Sequence, residues 1–374
     1  MADVPPTPGP APDHPLAALG WRPELEPLFA PHQAAGFELA RVAVQDKHHY
    51  LVCTAREELI AHITGKVIHE AAHDGDLPKV GDWVAVSLPL GESKAVIHHV
   101  LPRRTKLSRK VPGPRVLEQV LATNMDVVFV VQALDSSFDP RKFERYLTIV
   151  HASGAQPVVV LNKSDVCPDM GRPLARARAV AGDAPVATVS AQTGHHLEEL
   201  RQWIQPGVTV VFIGPSGVGK SSLINRLYGE EIQHTIEVRE SDAKGRHATS
   251  RRELIVLPGG GLLIDTPGLR ECQLWTEEQG PGLADAFGDV EELALQCHFS
   301  GCSHTQEARC AVLAAVADGR LSRARHRNFL KLRDERAQLA TARNTAAQIV
   351  RKRQTQAAQR AFQKRKHGDY EEPE

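Results

Sequence analysis

Two textures of apolar and polar positions divide the chain. Between Arg41 and Val100 the apolar stretches are short (RVAV, YLVC, HITGKVI, DWVAV), and polar or Gly-Asp punctuation separates them. That texture predicts a small β-barrel. From residue 126 onward the apolar runs become nearly continuous: DVVFVVQAL (126–134), PVVVLNKSD (157–165), PVATVSA (185–191), VTVVFIG (208–214) and LLIDTPG (262–268). Strands buried on both faces read this way, and the helical stretches between them predict an α/β domain around a largely parallel sheet. After Asp265 the pattern turns helical, is interrupted by a Cys/His cluster and ends in an Ala/Gln/Arg-rich segment. Residues 1–34 carry nine prolines and little periodicity, which predicts a mobile tail rather than a packed element.

Composition changes this picture only locally. A length of 374 residues suits two or three domains, and 45 basic side chains cancel 45 acidic ones, so no uniform field draws the molecule toward nucleic acid or membrane. The segment 101–117 is an exception, with Arg103, Arg104, Lys106, Arg109, Lys110 and Arg115 and no acid; it reads as a phosphate contact or as a solvated connector. Residues 336–366 hold nine Lys or Arg and no Asp or Glu, which points to a polyanion such as RNA. The N-terminus lacks a signal-peptide pattern and no apolar run approaches the roughly 20 residues of a membrane span, so a soluble cytoplasmic protein with no membrane partner is expected. Cys53, Cys167 and Cys272 stand alone and read as small buried hydrophobes.

The sharpest motif is GPSGVGKS at 214–221, directly after the apolar strand VTVVFI. Backbone N–H groups of Gly214, Ser216, Gly217, Val218 and Gly219 can converge on phosphate oxygens, with Pro215 lining the same loop and a helix aiming its positive end at them. Lys220 would neutralise the β- and γ-phosphates, Ser221 would ligate Mg²⁺, and Ser222 continues the loop. NKSD at 162–165 ends another apolar strand. Asp165 can accept from both the ring N–H and the exocyclic amine of guanine, which adenine cannot match. Asn162 can bond around the O6/N7 edge and the Lys163 stem can pack over the base, with Ser164 beside them. SAQTG at 190–194 resembles the loop that caps guanine O6, Ser190 opening it and Ala191 supplying its N–H. Asp265-Thr266-Pro267-Gly268 resembles the DxxG loop of GTPases, with Asp265 toward Mg²⁺ through water and Gly268 N–H toward the γ-phosphate.

In a Ras-like chain the phosphate loop comes first. Here NKSD and SAQTG precede GPSGVGKS and DTPG comes last, so the order is circularly permuted. Residues 230–250 look polar and mobile, as a first switch loop would. Thr249 is the candidate Mg²⁺ ligand there, with Ser250 as the alternative. The glutamine expected just beyond DxxG is replaced by Leu269, which can neither donate nor accept, so intrinsic hydrolysis should be slow.

Cys297-x4-Cys302-x-His304-x5-Cys310 offers three thiolates and an imidazole, a donor set for closed tetrahedral Zn²⁺ in a structural site. Permuted motifs joined to this spacing resemble the family of ribosome small-subunit-dependent GTPases A (RsgA, or YjeQ), over about residues 36–340. The resemblance implies an OB-fold barrel (36–105), a permuted GTPase domain (106–273) and a helical zinc-binding domain (274–340), flanked by the Pro-rich disordered tail (1–35) and the basic extension (341–374) that composition predicts. It also implies GTP hydrolysis with Mg²⁺, stimulation by the 30S ribosomal subunit, contact with 16S rRNA, binding of GTP and GDP, and a monomer. His247 resembles the switch-loop histidine that positions water, which makes His247, Lys220 and Thr249 the catalytic candidates. A GTP-gated RNA-binding module with incidental hydrolysis, and a permuted GTPase of the large subunit, are the competing readings. Ala308 stands where the family tends to have proline, and Tyr50 and Trp83 are the barrel's few residues able to stack on bases or to serve as core.

Overall fold

The computed structural model describes residues 13–46, 49–89, 94–111, 117–135, 138–230, 252–265 and 282–342. The expected tail needs correcting over residues 13–35, which are packed. Leu16 and Trp21 are buried, Arg22 pairs with Asp126 at 2.7 Å, and α1 (Glu26–Ala34) follows. Few apolar side chains are present, but Leu16 and Trp21 pack with Leu39, Trp83, Ala85 and Leu101 of the barrel side, and Leu19, Leu25 and Phe29 lie partly buried against that cluster. Pro27 sits in the first turn of α1, where a missing N–H costs nothing.

Five strands close the barrel: β1 (Glu38–Asp46), β2 (His49–Cys53), β3 (Glu58–Ile63), β4 (Trp83–Ser87) and β5 (Lys94–Val100). Their order is β1-β2-β3-β5-β4 with β4 returning to β1, and α2 (Gly65–Glu70) lies between β3 and β4. Val42, Val52, Ala61, Val84 and Ile97 fill the interior. Tyr50 and Trp83 are 2% and 3% exposed, so both are core and neither is open to a base. Burial pushes the Tyr50 phenol up to about 12.

The connector forms a hairpin of β6 (Lys106–Lys110) and β7 (Glu118–Thr123). Four of its cations, Arg103, Arg104, Lys106 and Arg109, bind the protein itself. Arg103 Nε and Nη2 donate to the fully buried Asp82 at 2.8 and 2.7 Å, Arg104 donates to Asp126, and Lys106 pairs with Glu118 at 3.1 Å. Arg41, 1% exposed, donates to the carbonyls of Leu19, Gly81 and Asn124 and so joins the N-terminal segment, the barrel and the hairpin. Burial lowers its pKa to about 10.

The α/β domain alternates β8 (Val127–Ala133), α3 (Pro140–Ser153), β9 (Gln156–Asn162), α4 (Gly171–Ala181), β10 (Val186–Thr188), α5 (Glu198–Arg201), β11 (Thr209–Ile213), α6 (Lys220–Tyr228), β12 (Arg252–Val256) and β13 (Leu262–Asp265). The strand order β10-β9-β8-β11-β13-β12 is parallel except for β12, which runs antiparallel to β13. Continuous Val/Ile/Leu/Phe runs suit these strands because β8 and β11 are buried along their whole length. β12 also pairs with β1, Val44 opposite Glu253 and Gln45 opposite Arg252, so barrel and domain share one sheet of eleven strands.

Four helices finish the described chain: α7 (Gly282–Ala286), α8 (Gly288–Ala294), α9 (Ala311–Ala317) and α10 (323–342). α7 lies so close to α3 that a Cβ at Gly282 would meet the Thr148 carbonyl at 2.4 Å. α10 is fastened to α3 by charge: Arg325 donates to Glu144 at 3.0 Å and to Asp289 at 2.6 Å, Asn328 donates to Glu144, and Arg145 pairs with Glu335 at 2.8 Å. Among the described residues no helix is long and apolar enough to cross a membrane.

Candidate functional site

Parallel strands carry all their following loops at one edge of the sheet, and ligands of open α/β sheets bind there. Four of the expected segments arrive at that edge, Asn162–Asp165 after β9, Ser190–Gly194 after β10, Gly214–Gly219 after β11 and Asp265 at the end of β13, and Asp135 after β8 joins them. Val211 pairs with Ile264, which sets Asp265 alongside the start of the phosphate loop. In that loop Val218 is buried while Ser216 and Gly217 are exposed. Lys220 Nζ folds back to donate to the carbonyls of Gly214 and Pro215 at 2.9 and 2.7 Å, which places the ammonium over the loop's backbone. Ser221 and Ser222 open α6, both half-buried.

Asn162 occupies a different position from the one expected of it. Its side chain is 1% exposed; Nδ2 donates to the Val218 carbonyl at 2.8 Å and Oδ1 accepts from Ala191 N–H at 3.0 Å. The carboxamide therefore ties the NKSD, SAQTG and phosphate loops to one another instead of facing outward. Gly219 is part of the same arrangement, because at φ 91° a Cβ there would lie 2.2 Å from Asn162 Nδ2. Asp165 is exposed, with Oδ1 held by the buried Ser190 hydroxyl, whose oxygen also accepts from Thr193 N–H at 3.1 Å. Lys163 adopts a left-handed φ of 64°, and its Nζ donates to Asp135 Oδ2 at 2.9 Å. A cleft of about 480 Å³ opens beside Ser164 and Asp165. A second cavity of about 510 Å³, among Arg103, Lys106, Ser108 and Glu118 at the barrel junction, touches none of these loops.

Away from this edge, Cys297, Cys302, His304 and Cys310 bring their donor atoms within 4.8 Å of one another. Zinc bonds of about 2.3 Å to sulfur and about 2.0–2.1 Å to nitrogen in a tetrahedron place two sulfurs about 3.8 Å apart and sulfur and nitrogen about 3.6 Å apart. The spacings here are 3.8 Å for Cys297–Cys310, 3.6 Å for Cys297–His304 and 3.5 Å for Cys310–His304. Donor set and geometry both fit a structural zinc. Glu307 braces the knuckle: its carboxylate accepts from the Ser303 hydroxyl, which chiefly holds its carboxyl well below the usual range, and from Ser303 N–H at 2.7 Å and Thr305 N–H at 3.0 Å. From α10, His326 bonds the His304 carbonyl at 2.9 Å and Arg333 donates to the Ser303 carbonyl at 2.6 Å.

Residues 100–275 match the family described as RsgA GTPase, and residues 209–351 match a 50S ribosome-binding GTPase family. A protein named small ribosomal subunit biogenesis GTPase RsgA from Opitutus terrae is 47% identical, over 87% of this chain and 90% of its own. Its namesake from Syntrophotalea carbinolica is 42% identical over 95% of this chain and 99% of its own. The chain belongs to the RsgA GTPase family. Among solved structures, YjeQ from Thermotoga maritima superposes with a TM-score of 0.59 at 25% identity, over 81% of this chain and 99% of that one. YloQ, titled a circularly permuted GTPase, gives 0.56 at 23% identity, over 81% and 96%, and speaks for the fold alone.

For this RsgA family member, several expected site residues fall outside the described residues: His247, Thr249, its alternative Ser250, and Gly268. Two residues at the nucleotide edge went unnoticed in the sequence. Asp135 has a signal, since it ends an apolar strand as Asp165 and Asp265 nearly do. Arg226, which donates to the Ala191 and Gln192 carbonyls at 3.0 and 2.7 Å, has none.

Proposed function

We propose that this chain hydrolyses GTP to GDP and phosphate and acts, in the cytoplasm, in maturation of the small ribosomal subunit, the process named in its relatives. One observation carries the nucleotide reading: a single buried carboxamide, Asn162, binds the base-side loops to the phosphate loop, so three segments scattered in the chain form one rim. On that rim Asp165, with one oxygen steadied by Ser190, would accept from the guanine N1–H and 2-amino group. Lys163, its Nζ turned to Asp135, would lay its stem over the base. Lys220 and the N–H groups of Gly214 and Ser216–Gly219 would hold the phosphates.

Ser221, Asp265 and Thr249 are the proposed Mg²⁺ ligands, and the ion would supply charge neutralisation between the β- and γ-phosphates. His247 is the proposed orienter of the attacking water, since Leu269 at the usual glutamine position cannot serve. Small-subunit RNA is the proposed partner, reached by the basic residues of the 336–366 segment. The zinc knuckle is structural in this reading because four protein donors leave no open position.

The test is turnover of GTP by purified chain with and without 30S and 50S particles. Stimulation by 30S alone is expected, lost in His247→Ala with GTP binding kept. Equal stimulation by 50S, or a His247→Ala variant with unchanged 30S-stimulated turnover, counts against the respective part.

A further inference from the structure

We infer that Arg226 is a positioning residue for guanine recognition, fixing the base-cap loop to the helix that begins at the phosphate lysine. This deepens the proposed function and rests on it. Arg226 lies on α6, six residues beyond Lys220. Its Nε donates to the Ala191 carbonyl at 3.0 Å and its Nη2 to the Gln192 carbonyl at 2.7 Å. Those two nitrogens share one edge of a planar guanidinium, which spans adjacent carbonyls in a way that a lysine ammonium, a point donor on a flexible stem, does not.

The grip falls on the peptides whose orientation matters most. Ala191 is 5% exposed, its N–H is taken by Asn162 Oδ1, and its carbonyl is taken by Arg226. The same peptide segment is thus fixed from the NKSD side and from the phosphate-helix side. The remaining bonds of the loop are internal: Ser190 N–H to the His195 carbonyl at 3.1 Å, Gly194 N–H to the Ser190 carbonyl at 2.9 Å and Thr193 N–H to the Ser190 hydroxyl. Arg226 adds a charged, two-pronged tie to the element that carries the phosphate site. The Ala191 N–H itself is spent on Asn162 Oδ1, so loss of the Arg226 tie loosens the backbone of Ala191 and Gln192 on the side expected to cap O6, while Asp165 keeps its Ser190 partner.

Calorimetric titration of the full chain with GDP, with 6-thio-GDP, which replaces O6 by the poorer acceptor sulfur, and with IDP, which lacks the 2-amino group read by Asp165, tests this. In Arg226→Ala, GDP binding should weaken about three- to tenfold, the range of one ordinary net hydrogen bond felt indirectly through the loop. The preference for GDP over 6-thio-GDP should shrink by the same factor, while the preference over IDP stays constant. Arg226→Lys should resemble the alanine variant despite its charge, and it carries the comparison alone if the alanine variant does not fold. Equal weakening for all three nucleotides, or no weakening, overturns the assignment. A parent chain that binds ADP as tightly as GDP would instead refute the guanine reading itself.

Discussion

At the nucleotide edge, side chains from residue 135 to residue 265 meet because parallel strands deliver their loops to one rim; in the knuckle, four donors meet because they lie within residues 297–310. The rim inherits its geometry from a scaffold buried on both faces, with β8 and β11 inaccessible throughout. The knuckle has little apolar filling of its own and takes its shape from its ligands, from Glu307 and from α10. A site borrowed from a sheet tolerates an empty state, whereas a site made of its own donors would depend on the ion its donor set fits.

The strongest way to break this contrast is to remove the metal ligand set. Structural zinc binding contributes on the order of 10 kcal/mol to folding of such lobes. Cys310→Ala should therefore lose stoichiometric zinc and the amide protection of α9 in hydrogen exchange, with GTP affinity changing less than about threefold. Equal loss at both sites would show that the rim depends on the knuckle. Next in size is the fastening between the regions: Arg325→Ala leaves Glu144, 2% exposed, without its cation and should cost about 3 kcal/mol in chemical denaturation. An unfolding free energy within error of the parent would remove that fastening from the argument. Lys220→Ala should weaken GTP at least about a hundredfold, as loss of a charged phosphate contact does, without shifting the melting temperature.

Much of the rim is legible from strings of adjacent residues. GPSGVGKS, NKSD and LLIDTPG each follow an apolar strand, and strand ends converge by the geometry of parallel sheets alone. What escapes is whatever depends on distant partners. Asn162 belongs to a readable motif, yet its two bonds go to Val218 and Ala191, and only the folded chain brings these together. The cations of 101–110 look available for phosphate because their acids, Asp82 and Asp126, lie elsewhere in the chain. Residues 13–35 resemble a tail because proline counts do not reveal that Leu16 and Trp21 each fill a prepared gap. The barrel's texture is visible in the sequence, but its closure through β1 and β4 is not, since neither strand advertises its second partner.

A smaller effect sharpens the contrast at the base side. Asp135→Asn removes the anion that holds Lys163 and should weaken GTP by about two- to fivefold, the scale of a partly exposed ion pair, while leaving ATP rejection intact because Asp165 is untouched. Equal affinity for both proteins would make Asp135 a bystander. The smallest is chemical. Burial pushes the Cys53 thiol up to about 12, so its neutral form stabilises the fold fully below pH 9, its ordinary value, and that contribution fades as pH rises from there toward 12. At pH 8 native alkylation should label Cys167, which is half-buried, well before Cys53; the reverse order would contradict the packing of β2.

The pairing of β1 with β12 makes the barrel and the α/β domain a single mechanical body at that seam. A load applied to the barrel by a bulky partner would pass across two backbone rungs, at Val44 and Gln45, into the strand whose hairpin mate ends in Asp265. Force would then arrive beside the phosphates through stiff sheet rather than through a swivel, and docking at one end of the molecule would be felt at the other as a change in strain.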